Sequence, residues 1–248
     1  GKVRGRGMAC MFKAPSMPPN AQSSAVLKFN EDGTVHILTT ASDIGQGAMT
    51  SLAQIAAEEL GMPVERFRTN LPDTDYTPYE WQTVASRITY SAGNAVLLAA
   101  RDARAQLEEV GAAVLGTGRS QVAIKDGFVY EKTNPERKVA VTDIAMGTLT
   151  AKGAIGAPVI GRGQFIPEGL TGLDPETGQE SEGGKGPAPF YTFGTQAADI
   201  EVDVETGKIV VNKITAAYEV GQVINQAMCI GQVQGGIVQG LSSALFEQ

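Results

Sequence analysis

The chain has 248 residues, of which 42% are hydrophobic and 19% charged, enough for a sizeable core in one large domain or two small subdomains. Its formal net charge of −7 argues against a general nucleic-acid binder, which would present a basic face. No apolar run approaches the roughly 20 residues that cross a bilayer, and the start lacks the apolar core of a secretory signal. We therefore expect a cytoplasmic protein with no membrane association.

Cysteine and histidine are scarce. The chain has two cysteines, Cys10 and Cys229, and one histidine, His36. These are too few for a structural zinc site, an iron–sulfur cluster or a disulfide framework. His36 lies in the alternating run TVHILTT, which favours a strand residue over a catalytic base.

The first half of the chain mixes strands with helices. In chain order we predict a hairpin at 25–29 and 34–40 around an Asp-Gly turn, a helix at 52–60, a strand at 67–71 and a long helix at 96–114. Gly61 is a natural end for the first helix. The stretch at 72–93 is rich in turn residues and is predicted to be irregular.

The second half continues the mixture. We predict a hairpin at 121–130, a short helix at 141–145, a long surface loop at 165–189, a third hairpin at 198–204 and 208–217, and a glycine-rich helical end. Thr142 or Asp143 is expected to cap the short helix. Hairpins mixed with helices indicate an α+β fold. We expect two subdomains, residues 1–115 and 116–248, the second with a loose loop at 165–189.

A glycine-rich junction follows the first hairpin, in the stretch ASDIGQGAMT. A glycine between a strand and a helix can adopt positive φ and allows a ligand close to the backbone, and the first helical amides suit a phosphate. Gln46 lies between Gly45 and Gly47 and carries an amide that can donate and accept hydrogen bonds. That favours a ligand with oxo, hydroxyl or ring-nitrogen groups. The alternative is a tight turn with a solvated glutamine.

Two further segments resemble this junction. TVASRIT, residues 83–89, places hydroxyls and Arg87 before the long helix, and GQVQGG, residues 231–236, pairs glutamine with glycine. Simpler interpretations are helix capping by Ser and Thr with a solvated Arg87, and glycines that allow close helix packing. Three polar helix starts in one chain favour a shared anionic ligand.

These segments together resemble the molybdenum-binding subunit of the xanthine dehydrogenase and aldehyde oxidase family, the molybdenum hydroxylases. The matching motifs run in order through GKVRGRGMA, SDIGQGAMT, DTD, TVASRITYSAGNAV, ADIEVDVETGKIVV and GQVQGG. They cover nearly the whole chain apart from the loop at 165–189. The resemblance is therefore more specific than any single glycine motif.

The resemblance implies a molybdopterin cofactor, as the cytosine dinucleotide in a bacterial source, with molybdenum held by the dithiolene of the pterin. Cofactor-binding residues carried over from the family are Gly45, Gln46 and Gly47 at the pterin and phosphates, Ala85, Ser86, Arg87 and Thr89 at the pyrophosphate and metal side, and Gln232 at the pterin. The metal takes no side-chain ligand in this family. That agrees with the shortage of cysteine and histidine.

The resemblance also implies an oxidoreductase of several chains. The family hydroxylates N-heterocycles such as purines or nicotinate, or oxidises aldehydes, with water as the oxygen source. Its other molybdenum-binding half, an iron–sulfur subunit and a flavin (FAD) subunit are expected as partners, besides a small-molecule substrate. The catalytic glutamate of the family lies beyond Gln248, so we assign no catalytic residue here, and Glu247 is not promoted to that role. The alternatives are a phosphate- or nucleotide-binding module and a cofactor-free scaffold subunit.

Overall fold

A computed structural model describes residues 1–180 and 186–247. The strands are β1 (Lys2–Lys13), β2 (Ser23–Phe29), β3 (Val35–Leu38), β4 (Phe67–Thr69), β5 (Val122–Lys125), β6 (Phe128–Glu131), β7 (Asn134–Ala140), β8 (Thr148–Thr150), β9 (Gly153–Ile155), β10 (Ile160–Phe165), β11 (Thr192–Asp203) and β12 (Ile209–Glu219). The helices are α1 (Ala48–Leu60), α2 (Ile88–Leu115), α3 (Val141–Ile144) and α4 (Gln226–Phe246). This mixture confirms the predicted α+β class.

The chain divides into two compact units. The larger comprises Pro19–Glu168, and the smaller comprises Gly1–Pro18 with Gly169–Gln248. This division differs from the boundary expected at residue 115, because β5, β6 and β7 pack against α2 and share its core. The assignment of 1–115 and 116–248 as two parts of a molybdopterin-binding domain stays a prediction.

The larger unit contains a four-stranded sheet in the order β10-β2-β3-β4. The β2–β3 hairpin confirms the first predicted hairpin. β4 pairs with β3 in parallel, and α1 supplies the crossover that a parallel pair requires. The predicted strand at 67–71 is shorter than expected, and Leu71 lies beyond it and is exposed. His36 lies within β3, as the strand interpretation predicted.

Two helices cover one side of this sheet and form the core with it. Helix α1 ends where Gly61 adopts a left-handed conformation, as predicted, and α2 is the long helix but begins at Ile88, within the stretch expected to be irregular. Gly161 and Gly163 of β10 face α2 so closely that a Cβ at either position would lie within 3.0 Å of an α2 backbone oxygen. Glycine in β10 is therefore what allows strand and helix to meet.

A second sheet, β5-β6-β7, packs near the C-terminal part of α2. Its β5–β6 hairpin around Asp126 and Gly127 was predicted, whereas β7 was not. The short helix α3 is confirmed, but its predicted capping is wrong. The N-cap is Ala140, with no side-chain cap, and Thr142 and Asp143 lie within the helix.

The smaller unit contains an antiparallel sheet in the order β1-β11-β12, followed by α4. The β11–β12 hairpin confirms the third predicted hairpin. β1 was not predicted as a strand. It pairs with β11 along its whole length, and ion pairs such as Arg6–Asp199 join the two strands. Asn225 caps α4 by accepting a hydrogen bond from the amide of Met228 at 3.0 Å.

Within the described part of the predicted loop at 165–189, residues after Phe165 form turns, irregular segments and one isolated bridge between Leu173 and Glu180. Residues 181–185 of that loop lie outside the described residues, so its predicted mobility stays a prediction. No helix in the described part of the chain is long and apolar enough to cross a membrane.

Candidate functional site

The glycine loop, residues 41–47, leads from β3 into α1. Gly45 and Gly47 have φ of 108° and 79°, which only glycine adopts without strain. The carboxylate of Asp43 accepts hydrogen bonds from the amides of Gly45 (2.9 Å), Gly47 (3.3 Å) and Met49 (3.2 Å). These bonds, the one from Gly45 above all, lower the pKa of Asp43. An internal anion therefore occupies the start of α1, where the sequence indicated a phosphate.

Gln46 stabilises the same loop through both ends of its amide. Its Nε2 donates to the carbonyl oxygen of Ser42 at 2.9 Å, and its Oε1 accepts from the amide of Ile44 at 2.7 Å. The side chain is half-buried, so the alternative of a solvated glutamine is wrong. A carboxamide has a second donor hydrogen and a second acceptor lone pair, so Gln46 retains capacity for a ligand.

The second candidate segment is the ASR turn, residues 83–87, which leads into α2. Ala85 and Ser86 adopt left-handed backbone conformations with φ of 54° and 58°. Each costs on the order of 1 to 3 kcal/mol for a residue with a side chain, and such residues cluster at functional sites. Ser86 and Thr89 are exposed and Ala85 is half-buried. The turn thus presents hydroxyl and backbone groups at its surface.

Arg87 occupies a different environment from the one the simpler interpretation predicted. Its side chain is fully buried and forms an ion pair with Glu80, whose side chain is 1% exposed. It also donates to the carbonyl oxygen of Gln82 at 2.8 Å and to Oγ of Ser23 at 2.9 Å. The simpler interpretation of a solvated Arg87 is therefore wrong. Helix capping by Ser and Thr is also absent at α2, where the N-cap is Arg87 with no side-chain cap.

The structure brings the glycine loop and the ASR turn together. The amide of Ser42 donates to Oγ1 of Thr83 at 2.9 Å. Oγ1 of Thr40 donates to the carbonyl oxygen of Pro78 at 2.6 Å and lies 2.9 Å from Oγ1 of Thr77. Segments that are forty residues apart in sequence thus form one surface at the starts of α1 and α2.

Gln232 belongs to the smaller unit. It lies in the first half of α4 and is exposed, which leaves its amide accessible. Its role in cofactor binding stays a prediction carried from the family resemblance.

Two residues that shape this surface, Asp43 and Glu80, were not predicted from the sequence. Asp43 could have been found, because an aspartate two residues before a glycine commonly accepts hydrogen bonds from the backbone that follows it. Glu80 could not have been found by local pattern. It lies in an irregular stretch, and its partners Arg87 and Ser23 are brought to it by the fold. Burial raises the pKa of Glu80, and the hydrogen bond and charge of Arg87 oppose that rise.

The described residues contain no cluster of metal-binding side chains. Across residues 1–180 and 186–247, no three His, Cys, Asp or Glu side chains are grouped so that they could hold a metal ion.

Comparisons with known proteins identify the family. The family model for the molybdopterin cofactor-binding domain matches residues 1–248. The large subunit of nicotine 6-hydroxylase from Paenarthrobacter nicotinovorans is 30% identical over 240 residues, which is 96% of this chain and 27% of that protein. The xanthine dehydrogenase molybdenum-binding subunit of Escherichia coli O157:H7 is 29% identical over 249 residues, which is 99% of this chain and 30% of that protein. The chain thus spans less than a third of these relatives.

A solved structure is also similar to this chain. The aldehyde oxidoreductase of Desulfovibrio gigas superposes with a TM-score of 0.75 at 25% identity, covering 100% of this chain and 24% of that one. These matches do not favour a phosphate-binding module or a cofactor-free scaffold. The chain belongs to the molybdopterin cofactor-binding domain family of the molybdenum hydroxylases, and it is a component of their molybdenum-binding subunit.

Proposed function

We propose that this chain binds molybdopterin, as the cytosine dinucleotide, at the surface formed by the glycine loop and the ASR turn. The enzyme would hydroxylate an N-heterocycle or oxidise an aldehyde. The observation that carries the proposal is the hydrogen bond from the Ser42 amide to Thr83, which joins two segments that the family resemblance assigns to the cofactor. Relatives named for nicotine and xanthine and a neighbour named for aldehydes support the two substrate classes.

The residues at this surface fit such a cofactor. When bound, molybdopterin supplies a redox-active molybdenum held by its own dithiolene, which suits a chain whose described residues offer no grouped metal ligands. Gln46 keeps one free donor and one free acceptor site on its amide for the heteroatoms of a pterin. Gly45 and Gly47 have no side chains, so they let the ligand approach the backbone closely.

Phosphates are better accommodated at the ASR turn than at the glycine loop. Asp43 already places a carboxylate against the amides that precede and open α1, and a second anion there would meet like charge. The start of α2 has no capping side chain, and Ser86 and Thr89 are exposed beside it. We therefore assign the pyrophosphate to Ser86, Thr89 and the first amides of α2, where the helix dipole favours negative charge.

Further parts of the enzyme are proposed on the family resemblance. The other molybdenum-binding half, an iron–sulfur subunit and an FAD subunit would join this chain in a cytoplasmic hetero-oligomer. Gln232 would add a hydrogen bond to the pterin. The general base and the groups that select the substrate would come from those other parts.

Replacing Gln46 by alanine tests the assignment. Gln46→Ala removes two hydrogen bonds of the glycine loop and the proposed pterin contact. We expect molybdenum and pterin content per enzyme to fall by about 10-fold, a loss typical for residues that support a metal centre. Elemental analysis and pterin fluorescence of the complete enzyme measure it.

Gln164→Ala is the matched control, since Gln164 is an exposed glutamine on β10 in the same unit. It should retain wild-type molybdenum and pterin. Unchanged cofactor content in Gln46→Ala would remove Gln46 from the site. A wild-type enzyme that contains neither molybdenum nor pterin would refute the proposed function as a whole.

A further inference from the structure

We propose that the buried pair of Arg87 and Glu80 is a positioning device for the cofactor. It holds Ala85 and Ser86 in their left-handed conformations, and the Arg87 guanidinium does not itself bind the cofactor phosphates. The inference rests on the proposed function, because it takes the ASR turn as part of the cofactor surface. It changes the role that the family resemblance implies for Arg87.

The first argument against direct phosphate binding comes from the groups that surround the Arg87 guanidinium. Arg87 has no exposed side-chain surface. One terminal nitrogen donates to Glu80 and to the carbonyl oxygen of Gln82, and the other donates to Oγ of Ser23. The guanidinium carbon also lies 5.5 Å from the centre of the Trp81 ring. A phosphate would have to displace these partners from a closed environment in order to reach Arg87.

The charges around Arg87 also argue against direct phosphate binding by its guanidinium. Glu80 lies directly against Arg87, with a side chain that is 1% exposed. Low-dielectric surroundings strengthen the attraction between the two groups and make separation of the pair costly. The pair is nearly neutral when seen from the surface. Phosphate binding therefore depends on Ser86, Thr89 and the amides of α2 rather than on the arginine charge.

The backbone around the turn explains what the pair accomplishes. Ala85 and Ser86 have φ of 54° and 58°, and such conformations persist in residues with side chains only where the surroundings over-determine them. Arg87 follows these two residues directly. Its amide donates to the carbonyl oxygen of Val84 at 3.1 Å, and its side chain holds the carbonyl of Gln82 on the other side of the turn. Both ends of the turn are thus fixed by one residue.

The test uses a variant that removes the pair without leaving a buried charge. In Glu80→Gln/Arg87→Met both charges disappear together, a change that buried ion pairs often tolerate without loss of stability. In the complete enzyme we expect the melting temperature to be retained. Molybdenum and pterin should nevertheless be lost about 10-fold faster during dialysis, because the turn is no longer pre-organised.

Adding Ala85→Gly to that double variant is the decisive step. Glycine adopts positive φ without steric strain, so the triple variant should recover a measurable part of the cofactor retention that the double variant loses. A direct phosphate ligand could not be replaced in this way. Loss of retention in the double variant without recovery in the triple variant would therefore overturn the proposal, as would unchanged retention in the double variant.

Controls distinguish failure of this inference from failure of the proposed function. Arg101→Gln removes an exposed ion pair with Glu59 in the same unit and should leave retention unchanged. A wild-type enzyme without cofactor would reject the proposed function, whereas a loaded wild type with a fully retentive double variant rejects only this inference.

Amide hydrogen exchange on the wild-type enzyme covers the case in which the double variant does not fold. The Arg87 amide, which donates to the carbonyl oxygen of Val84 at 3.1 Å, should be equally protected in the cofactor-loaded and cofactor-depleted enzyme. Protection that appears only with cofactor would show that the pair does not pre-organise the turn, and would overturn the inference.

Discussion

The two compact units differ in how they bury apolar side chains. In the larger unit, α1, α2 and the strands beneath them enclose a continuous core that includes Leu27, Leu52 and Val96. Among the described residues, Met17 and Leu170 are the buried hydrophobic residues of the smaller unit, and none of the residues of α4 is buried. Strand β1 leaves Met8 and Phe12 largely exposed.

Both units combine strands with helices, but they are stabilised in different ways. The larger unit gains stability from burial of apolar area, the dominant favourable term in folding. The smaller unit depends on strand hydrogen bonds and on exposed ion pairs such as Arg6–Asp199, which contribute little individually. Both proposed cofactor loops therefore belong to the unit with the larger apolar core.

The largest predicted effect on stability comes from removing the buried arginine of the larger unit. Arg87→Ala leaves Glu80 buried without its partner, and we expect the free energy of unfolding to fall by about 3 to 5 kcal/mol. Arg101→Ala removes an exposed ion pair and should cost less than about 1 kcal/mol. Urea denaturation measures both. Equal costs would mean that the Arg87 pair is not buried in solution.

The next largest loss of stability is expected where β10 packs closely against α2. Gly163→Ala would place a Cβ within 3.0 Å of the Ala95 carbonyl oxygen, and backbone cannot yield as a flexible side chain can. We expect a loss of about 3 kcal/mol, at the upper end of overpacking costs. Gly118→Ala is the control, since Gly118 has an extended conformation and open space around it. A neutral Gly163→Ala would contradict the close approach of strand and helix.

A pair of valines compares the two units directly. Val96 in α2 is 0% exposed, whereas Val238 in α4 is 64% exposed. Val96→Ala should cost about 2 kcal/mol through lost burial and the remaining cavity. Val238→Ala should change stability by less than about 0.5 kcal/mol. Thermal denaturation measures both, and a large effect at Val238 would show that α4 is packed in solution.

The smallest predicted effect concerns Asp43 and depends on pH. Asp43→Ala removes the acceptor for the amides at the start of α1 and should cost about 1 kcal/mol at pH 7. The folded-state pKa of Asp43 is lowered from 3.8. Its contribution is therefore present above pH 3.8 and is lost as pH falls through the folded-state pKa. The difference in melting temperature between wild type and variant should vanish in strong acid.

Asp75→Ala is the control for this measurement, because Asp75 is an exposed aspartate of the same unit. It should show no comparable difference at pH 7. A difference at Asp43 that persists unchanged at low pH would exclude the carboxylate as its cause.

The geometry of the glycine loop could be predicted from sequence, because its parts are local. Glycines at positive φ, the strand before them and the helix after them are encoded within about twenty residues of one another, so the glycine loop was located correctly. The environment of Arg87 could not be predicted. Ser23 lies at the start of β2, an interior strand, and Glu80 lies in an irregular segment. Their distances from Arg87 along the sequence follow no periodic pattern.

Local sequence by itself determined the α+β class, three hairpins and the two long helices of the larger unit. Hydrophobic period and turn chemistry act over a few residues and need no partner. Tertiary structure alone decided that β1 is a strand, that β4 lies parallel to β3, and that Arg87 is buried against Glu80. Those features depend on groups that are distant in sequence and meet only when the core forms.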